Sequence, residues 1–389
     1  MVGAGPAGSA TAVFLRQRGH DVLLVDEARF PRDKICGESV SPGAWPLLAA
    51  LGAAARVRAL DPFPLLGMRL TSPDGTAFAG AYPAGPESGF AVLRRRLDAT
   101  LLDVARDAGV EVREGVRVKG LDAGGPLQGL ECDEGGSPLR LEARLVVGAD
   151  GRRSIVARQL GLLHGHPRMR RFAVRGYWEG VQGLTHAGEM HVVPGGYCGI
   201  APLSPTFANV TFVLHQRDMA AARGDLGGFY ARSLQKRWPR LAPRLSSARL
   251  VSPPSAIGPL ALVARKASAP GVLLVGDAAG FFDPFTGEGV TLALRSAEMA
   301  ADVGHEALAA DTTSDLEAYD RRRLLATRDK FRVNRLLQVL VGWPSLADAV
   351  SHRLARRPDL ADRFVAIAGD LAPARSAFDA RFLWSLLWA

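Results

Sequence analysis

Gly3-Ala4-Gly5-Pro6-Ala7-Gly8 decides the fold: it runs straight into the apolar-faced stretch Pro6 to Arg18 and then through Gly19 to Val22-Leu23-Leu24-Val25-Asp26. The glycines satisfy G-x-G-x-x-G at a strand-to-helix turn, where bare backbone can approach a pyrophosphate and the helix start offers free N–H groups and positive potential. Asp26 ends the following strand, near where a carboxylate accepts hydrogen bonds from a ribose hydroxyl pair, with Glu27 beside it. The segment reads as a β-α-β unit that binds a dinucleotide through Gly3, Gly5, Pro6, Ala7, Gly8 and Asp26. A glycine turn that merely permits close helix packing is the competing reading. Only Met1 and Val2 precede the turn, whereas a buried parallel strand has about 5 residues. The first strand is therefore expected to be trimmed, or to begin upstream of Met1.

Downstream, Asp61 to Phe90 breaks into Pro- and Gly-punctuated short strands, a shift that reads as a second structural unit. A helix from Arg94 to Ala108, the strand Val110 to Val112 and the apolar run Leu141 to Val147 return the chain to the first unit. Phe172 to Glu179, Glu189 to Val193, Tyr197 to Ala201 and Val210 to Leu214 alternate as an antiparallel sheet with one covered face would. A helix over Leu226 to Trp238, a buried strand Gly271 to Val275 and a helix Val290 to Glu306 follow, and the remainder is helical with breaks at Pro344, Pro358 and Pro373. The expected organisation is a discontinuous dinucleotide-binding domain (1–60, 91–165 and 260–310), a substrate domain (61–90 and 166–259) and a C-terminal helical region (311–389).

Two further segments carry chemistry. Val147-Gly148-Ala149-Asp150-Gly151 puts an Asp-Gly turn at the carboxyl end of a buried strand, the edge where open α/β sheets bind ligands. Val272-Leu273-Leu274-Val275-Gly276-Asp277 delivers a second carboxylate to the same edge, and Asp283-Pro284-Phe285-Thr286-Gly287-Glu288-Gly289-Val290 leads into a helix.

These three segments, in this order and spacing, resemble the FAD-dependent aromatic hydroxylase fold and, within it, the geranylgeranyl-reductase-like flavoproteins, over nearly the whole chain. The stretch Phe30 to Ser39 is similar to that subgroup's Cys-Gly loop beside the flavin ring, and Arg94 with Leu97-Asp98 to the family arginine near the flavin phosphates. The resemblance implies an α/β fold: a Rossmann-like FAD-binding domain of the aromatic-hydroxylase type, an inserted antiparallel substrate sheet and C-terminal helices. It implies FAD, with Asp26 on the adenosine ribose, Gly5 to Gly8 on the pyrophosphate, Asp277 on the ribityl chain or a nearby phosphate, and Pro284 with Gly287 to Gly289 along the pyrimidine side. The helix from Val290 would aim its N-terminus at the flavin N1–C2 oxygen region, where a dipole and free amides stabilise negative charge. Asp150, next to Gly151, reads equally as a turn cap or a cofactor contact. Cys36, beside Gly37, reads as a small residue packed on the flavin rather than half of a disulfide relay.

In Tyr197-Cys198-Gly199-Ile200-Ala201-Pro202 the chain departs from the Tyr-x-Trp-x-Phe-Pro stretch of the geranylgeranyl reductases. Gly199 and Ala201 replace two large rings, which reshapes the pocket. The halogenases of this fold carry Trp-x-Trp-x-Ile-Pro, which has no match here. Tyr177, His191, Tyr197 and Cys198 are the candidate pocket residues, with sheet packing as the alternative role for the aromatics among them.

The expected reaction is NAD(P)H-dependent monooxygenation of an aromatic, polyketide or lipid-like organic molecule. Reduction of an isoprenoid carbon–carbon double bond is the alternative, and a redox-silent carrier a distant third. No second G-x-G-x-x-G turn occurs, so NAD(P)H would bind transiently or an external electron donor would serve. Three widely spaced cysteines fit neither a disulfide framework nor a zinc site, and no metal is expected. The net charge of +9 favours anionic ligands. Its basic triplets lack interleaved aromatics, so nucleic acid is not an expected partner. No run of about 18 uncharged apolar residues occurs, and the expected address is the cytoplasm. The apolar stretch Phe382 to Trp388 could touch a membrane, though docking on the body is the preferred reading.

Overall fold

The computed structural model describes residues 1–35, 37–83, 88–166, 169–281 and 283–387. At its centre is a parallel sheet in which the opening of the chain is the middle strand despite its brevity. Val2 bridges Val25 on one side and Gly148 on the other, both in parallel, through Val2 N–H to Val147 O (2.9 Å), Ala149 N–H to Val2 O (2.7 Å) and Gly3 N–H to Val25 O (2.8 Å). Outward from it, Leu23–Asp26 pairs in parallel with Glu111–Glu114, and Val146–Gly148 with Val272–Leu274. The trimmed strand is thus satisfied by two neighbours.

Both faces of this sheet are covered, as its apolar strands demand. Helices Pro6–Gln17, Arg94–Asp107 and Gly289–Ala309 pack one cluster through Val13, Phe14, Leu97, Leu101, Leu294 and Ala297. A three-stranded antiparallel arm (Val116–Asp122, Gln128–Glu134, Ser137–Ala143) presses Val116, Leu130 and Cys132 against the other. The apolar run Leu141 to Val147, expected as one strand, is two: its first half closes this arm and Val146–Gly148 enters the parallel sheet.

The second sheet runs in the order 249–250, 171–179, 207–215, 196–202, 187–193, 67–71, 77–81. It departs from the expected sheet in two ways. Gly67–Thr71 pairs with Ala187–Val193 in parallel, Leu70 opposite Met190, so the sheet is mixed. Its faces are also both covered. Helix Leu226–Arg237 and Trp238 bury one against Cys198, Phe212 and Leu214. The cavity described below and helices Glu317–Gly342, Pro344–Arg356 and Pro358–Ala368 cover the other through Leu70, Phe78, Met190, Tyr197 and Val213. Pro344 and Pro358 open their helices, where the missing N–H costs nothing. In the last helix, Ala380–Leu387, Phe382 is buried under Arg363 (4.6 Å) while Trp384 is exposed. Among the described residues no helix is long and apolar enough to cross a membrane.

Candidate cofactor and substrate cavity

A cavity of about 750 Å³ opens between the two sheets, at the carboxyl ends of the parallel strands. Gly3, Gly5, Pro6, Ala7, Asp26, Glu27, Gly37, Arg94, Asp150, Gly151, Gly276, Asp277, Pro284, Gly287, Gly289 and Val290 all line it. The sequence motifs therefore converge on one space. Cys36 lies outside the described residues.

The glycine turn is shaped by contacts that a side chain would destroy. Gly3 has φ +97°, and a Cβ on Gly8 would stand 1.8 Å from Gly3 O, so helix and strand touch backbone to backbone there. A Cβ on Gly5 would meet nothing nearer than the Arg32 guanidinium at 3.5 Å. Its bare face and the uncapped start of helix Pro6–Gln17 together form a cradle of the kind a pyrophosphate fills.

Asp26 accepts Ala4 N–H on Oδ2 (2.7 Å) and Ala28 N–H on Oδ1 (2.8 Å), which fixes the carboxylate at the cavity wall. Glu27 is exposed and paired with Arg117 at 3.1 Å. Arg94 is buried and holds Asp98 with two bonds, Nε to Oδ1 (2.8 Å) and Nη2 to Oδ2 (2.9 Å). Asp150 caps its turn: Oδ2 accepts Ile155 N–H at 2.7 Å. Its Oδ1 is buried with no hydrogen-bond partner among the described residues. Burial pushes the Asp150 carboxyl above its ordinary pKa. Gly287 is left-handed (φ +69°), turning the chain from Pro284 into helix Gly289–Ala309.

Four groups around the site, three of them buried and Lys330 half-buried, gave little sign in the sequence. Glu38 accepts Arg94 N–H on Oε2 (2.7 Å) and the Tyr177 hydroxyl on Oε1. Its carboxyl is pushed up to about 7 by burial, against the pull of Tyr177, Arg94 and Arg175. Arg175, 3% exposed, reaches from the second sheet to Asp33 Oδ2 (2.6 Å) and Lys34 O (2.8 Å). Lys330 Nζ lies 2.7 Å from Glu288 Oε1 and from Asp370 Oδ1, tying the long helix to the turn ahead of Gly289. Asp283 is the fourth.

Of the four expected pocket residues only Tyr197 lines the cavity. Tyr177 instead holds the 30–38 loop through Glu38, with its ring 4.5 Å from the Arg175 guanidinium. His191 bonds Glu189 (2.9 Å), which Arg244 also holds. Cys198 faces the Phe212–Phe229 side, and burial raises its thiol well above the usual range. For His191 and Cys198 the physical reason is strand parity: they pair with each other on the face opposite to Tyr197. Tyr177 shares the parity of Tyr197, and its hydroxyl is taken by Glu38.

A Rossmann-like unit facing a second sheet across a cavity with these motifs defines an FAD-dependent oxidoreductase. The chain belongs to the family described as FAD binding domain, which matches residues 1–332. It is 31% identical over 323 residues to the menaquinone reductase of Mycolicibacterium smegmatis, covering 78% of this chain and 75% of that one. It is 30% identical over 340 residues to the digeranylgeranylglycerophospholipid reductase 1 of Methanococcoides burtonii, covering 83% and 78%. In structure it is similar to a flavoprotein/dehydrogenase from Cytophaga hutchinsonii, at a TM-score of 0.85 and 22% identity over 97% and 93% of the two chains. The last likeness shows the fold.

Proposed function

We propose that this protein reduces a carbon–carbon double bond of an isoprenoid lipid. The observation that carries the reading is the apolar part of the cavity lining: Met68, Tyr82, Met190, Ile257, Phe281 and Phe285 line it, as a long hydrocarbon substrate requires. The names of the two relatives, both reductases, point the same way. In this reading residues 1–60, 91–165 and 260–310 form the FAD-binding unit. Gly3 and Gly5 to Gly8 hold the pyrophosphate, Asp26 and Glu27 border the adenosine ribose, Arg94 faces the phosphates, and Gly276-Asp277 meets the ribityl chain. Cys36-Gly37, Pro284, Gly287, Gly289 and Val290 border the flavin ring. FAD supplies the two-electron chemistry; the chain binds it, orients the lipid and excludes water. NAD(P)H, bound transiently, or an external donor reduces it.

Monooxygenation is the second reading, and one observation favours it. Gly199 and Ala201 line the cavity with no side chain and a single methyl where a large ring could stand, which favours a broad ring system as substrate. Anaerobic reduction of the FAD-loaded protein, followed by mixing with isoprenoid lipids or with oxygenated buffer and aromatic polyketides, separates the two. Flavin oxidation by the lipid without oxygen supports the reductase. Inertness to lipids, with a hydroxylated product in oxygen, replaces it with the monooxygenase.

A further inference from the structure

Asp283 sits where the two halves of the cavity meet. It immediately precedes the Pro284 turn and lies against Tyr197 of the second sheet, and both residues line the cavity. Oδ1 accepts the Tyr197 hydroxyl at 2.5 Å and Phe285 N–H at 3.1 Å. Oδ2 accepts no hydrogen bond among the described residues. The facing cation is Arg171 of the second sheet, with Nη1 3.5 Å from Oδ2 and its guanidinium donating to Gln338 of the long helix. Asn334 of that helix reaches only the Asp283 carbonyl oxygen, at 3.3 Å. The side chain is 1% exposed. Capping the turn needs Oδ1 alone. A buried carboxylate whose second oxygen makes no hydrogen bond, and has only a guanidinium 3.5 Å away, is stabilised by protonation or by a ligand that bonds to it.

We propose that Asp283, hydrogen-bonded to Tyr197, donates the proton that completes reduction of the double bond. The assignment rests on the reductase reading above. Saturating C=C adds two hydrogens. One carbon takes a hydride from the reduced flavin, which is thereby oxidised, and the displaced π pair forms the second C–H bond with the proton of Asp283. The carboxylate left behind is held by Tyr197 and Arg171 until solvent reprotonates it, and a nicotinamide or other two-electron donor renews the reduced flavin. Burial, opposed by Arg171, Tyr197, the Phe285 N–H and Gln338, raises the Asp283 pKa and so favours the protonated form. The rate therefore falls as pH rises through that pKa.

The test uses the FAD-loaded protein, Asp283→Asn and Tyr197→Phe. Each is reduced with dithionite without oxygen and mixed with menaquinone or with digeranylgeranylglycerophospholipid, and flavin reoxidation is followed in the visible. The wild type should oxidise its flavin with one of the two, and in D₂O the product should gain one solvent deuterium. Asp283→Asn should bind FAD normally, react at least about 100-fold more slowly and lose the alkaline fall in rate. The wild type, but not this variant, should show the infrared carbonyl band of a neutral carboxylic acid at neutral pH, and Tyr197→Phe should shift that band. Wild-type reoxidation by Asp283→Asn, or an unchanged infrared spectrum, overturns the proton-donor assignment and leaves the reductase reading standing. If Asp283→Asn does not load FAD, an unchanged band and pH profile in Tyr197→Phe overturn the assignment instead. A wild type inert to both lipids sinks the reductase reading and the proton donor with it.

Discussion

Arg175, midway along strand 171–179 of the second sheet, holds Asp33 at 2.6 Å across 142 residues of chain, so the loop beside the proposed flavin ring is anchored by the wall on which the substrate would rest. The Asp33 end is 58% exposed and the Arg175 end 3%. Asp33→Ala should therefore leave folding almost unchanged, within the about 1 kcal/mol of a partly exposed pair. It should still loosen the loop and weaken FAD binding roughly tenfold. Titration by flavin fluorescence checks this; unaltered affinity would detach the loop from the cofactor.

Glu38 makes stability depend on pH. Its folded pKa of about 7 is raised above the ordinary carboxyl value of 4.5, so the stability it contributes is complete below 4.5 and is lost as pH rises through 7. The loss is on the order of 3 kcal/mol. Thermal melts across this window should show the decline, and Glu38→Gln should flatten it.

Gly5 and Gly8 should fail differently. Gly8→Ala drives a methyl to 1.8 Å from Gly3 O and should prevent folding. Gly5→Ala fits the apoprotein, its nearest contact being Arg32 at 3.5 Å, and should give a normal melt with FAD binding lost. Circular dichroism beside flavin content distinguishes the two.

Asp98 is fully buried and held by Arg94 and by Arg32 at 3.1 Å. Arg94→Ala leaves that carboxylate with one partner and should cost about 3–5 kcal/mol in denaturant unfolding. Adding Asp98→Asn should recover part of the loss; simple additivity of the two would contradict the pairing.

What could be read from sequence was what local backbone rules enforce. A glycine turn and an Asp-Gly turn each announce themselves within a few residues, and the cavity gathers both. The break inside Leu141 to Val147 did leave a mark: Glu142 and Arg144 interrupt its first half, and only Leu145-Val146-Val147 is wholly apolar. Parallel pairing of Gly67–Thr71 with Ala187–Val193 was silent, since alternation records which face is covered and not strand direction. Tyr197 and Cys198 differ by one step of parity, which the sequence could not assign to a face once both faces proved to be covered. The Glu38–Arg175–Tyr177 cluster joins segments 137 to 139 residues apart and has no local signature.

The interleaving of the two sheets also governs how the chain is made. Gly67–Thr71 waits for Ala187–Val193, and Val146–Gly148 for Val272–Leu274, before either edge is closed. A nascent chain leaving the ribosome thus carries two open strand edges through much of its synthesis, and such edges recruit other chains. Yield of this protein in a foreign host should accordingly follow growth temperature and chaperone supply more closely than the melting point of the finished molecule.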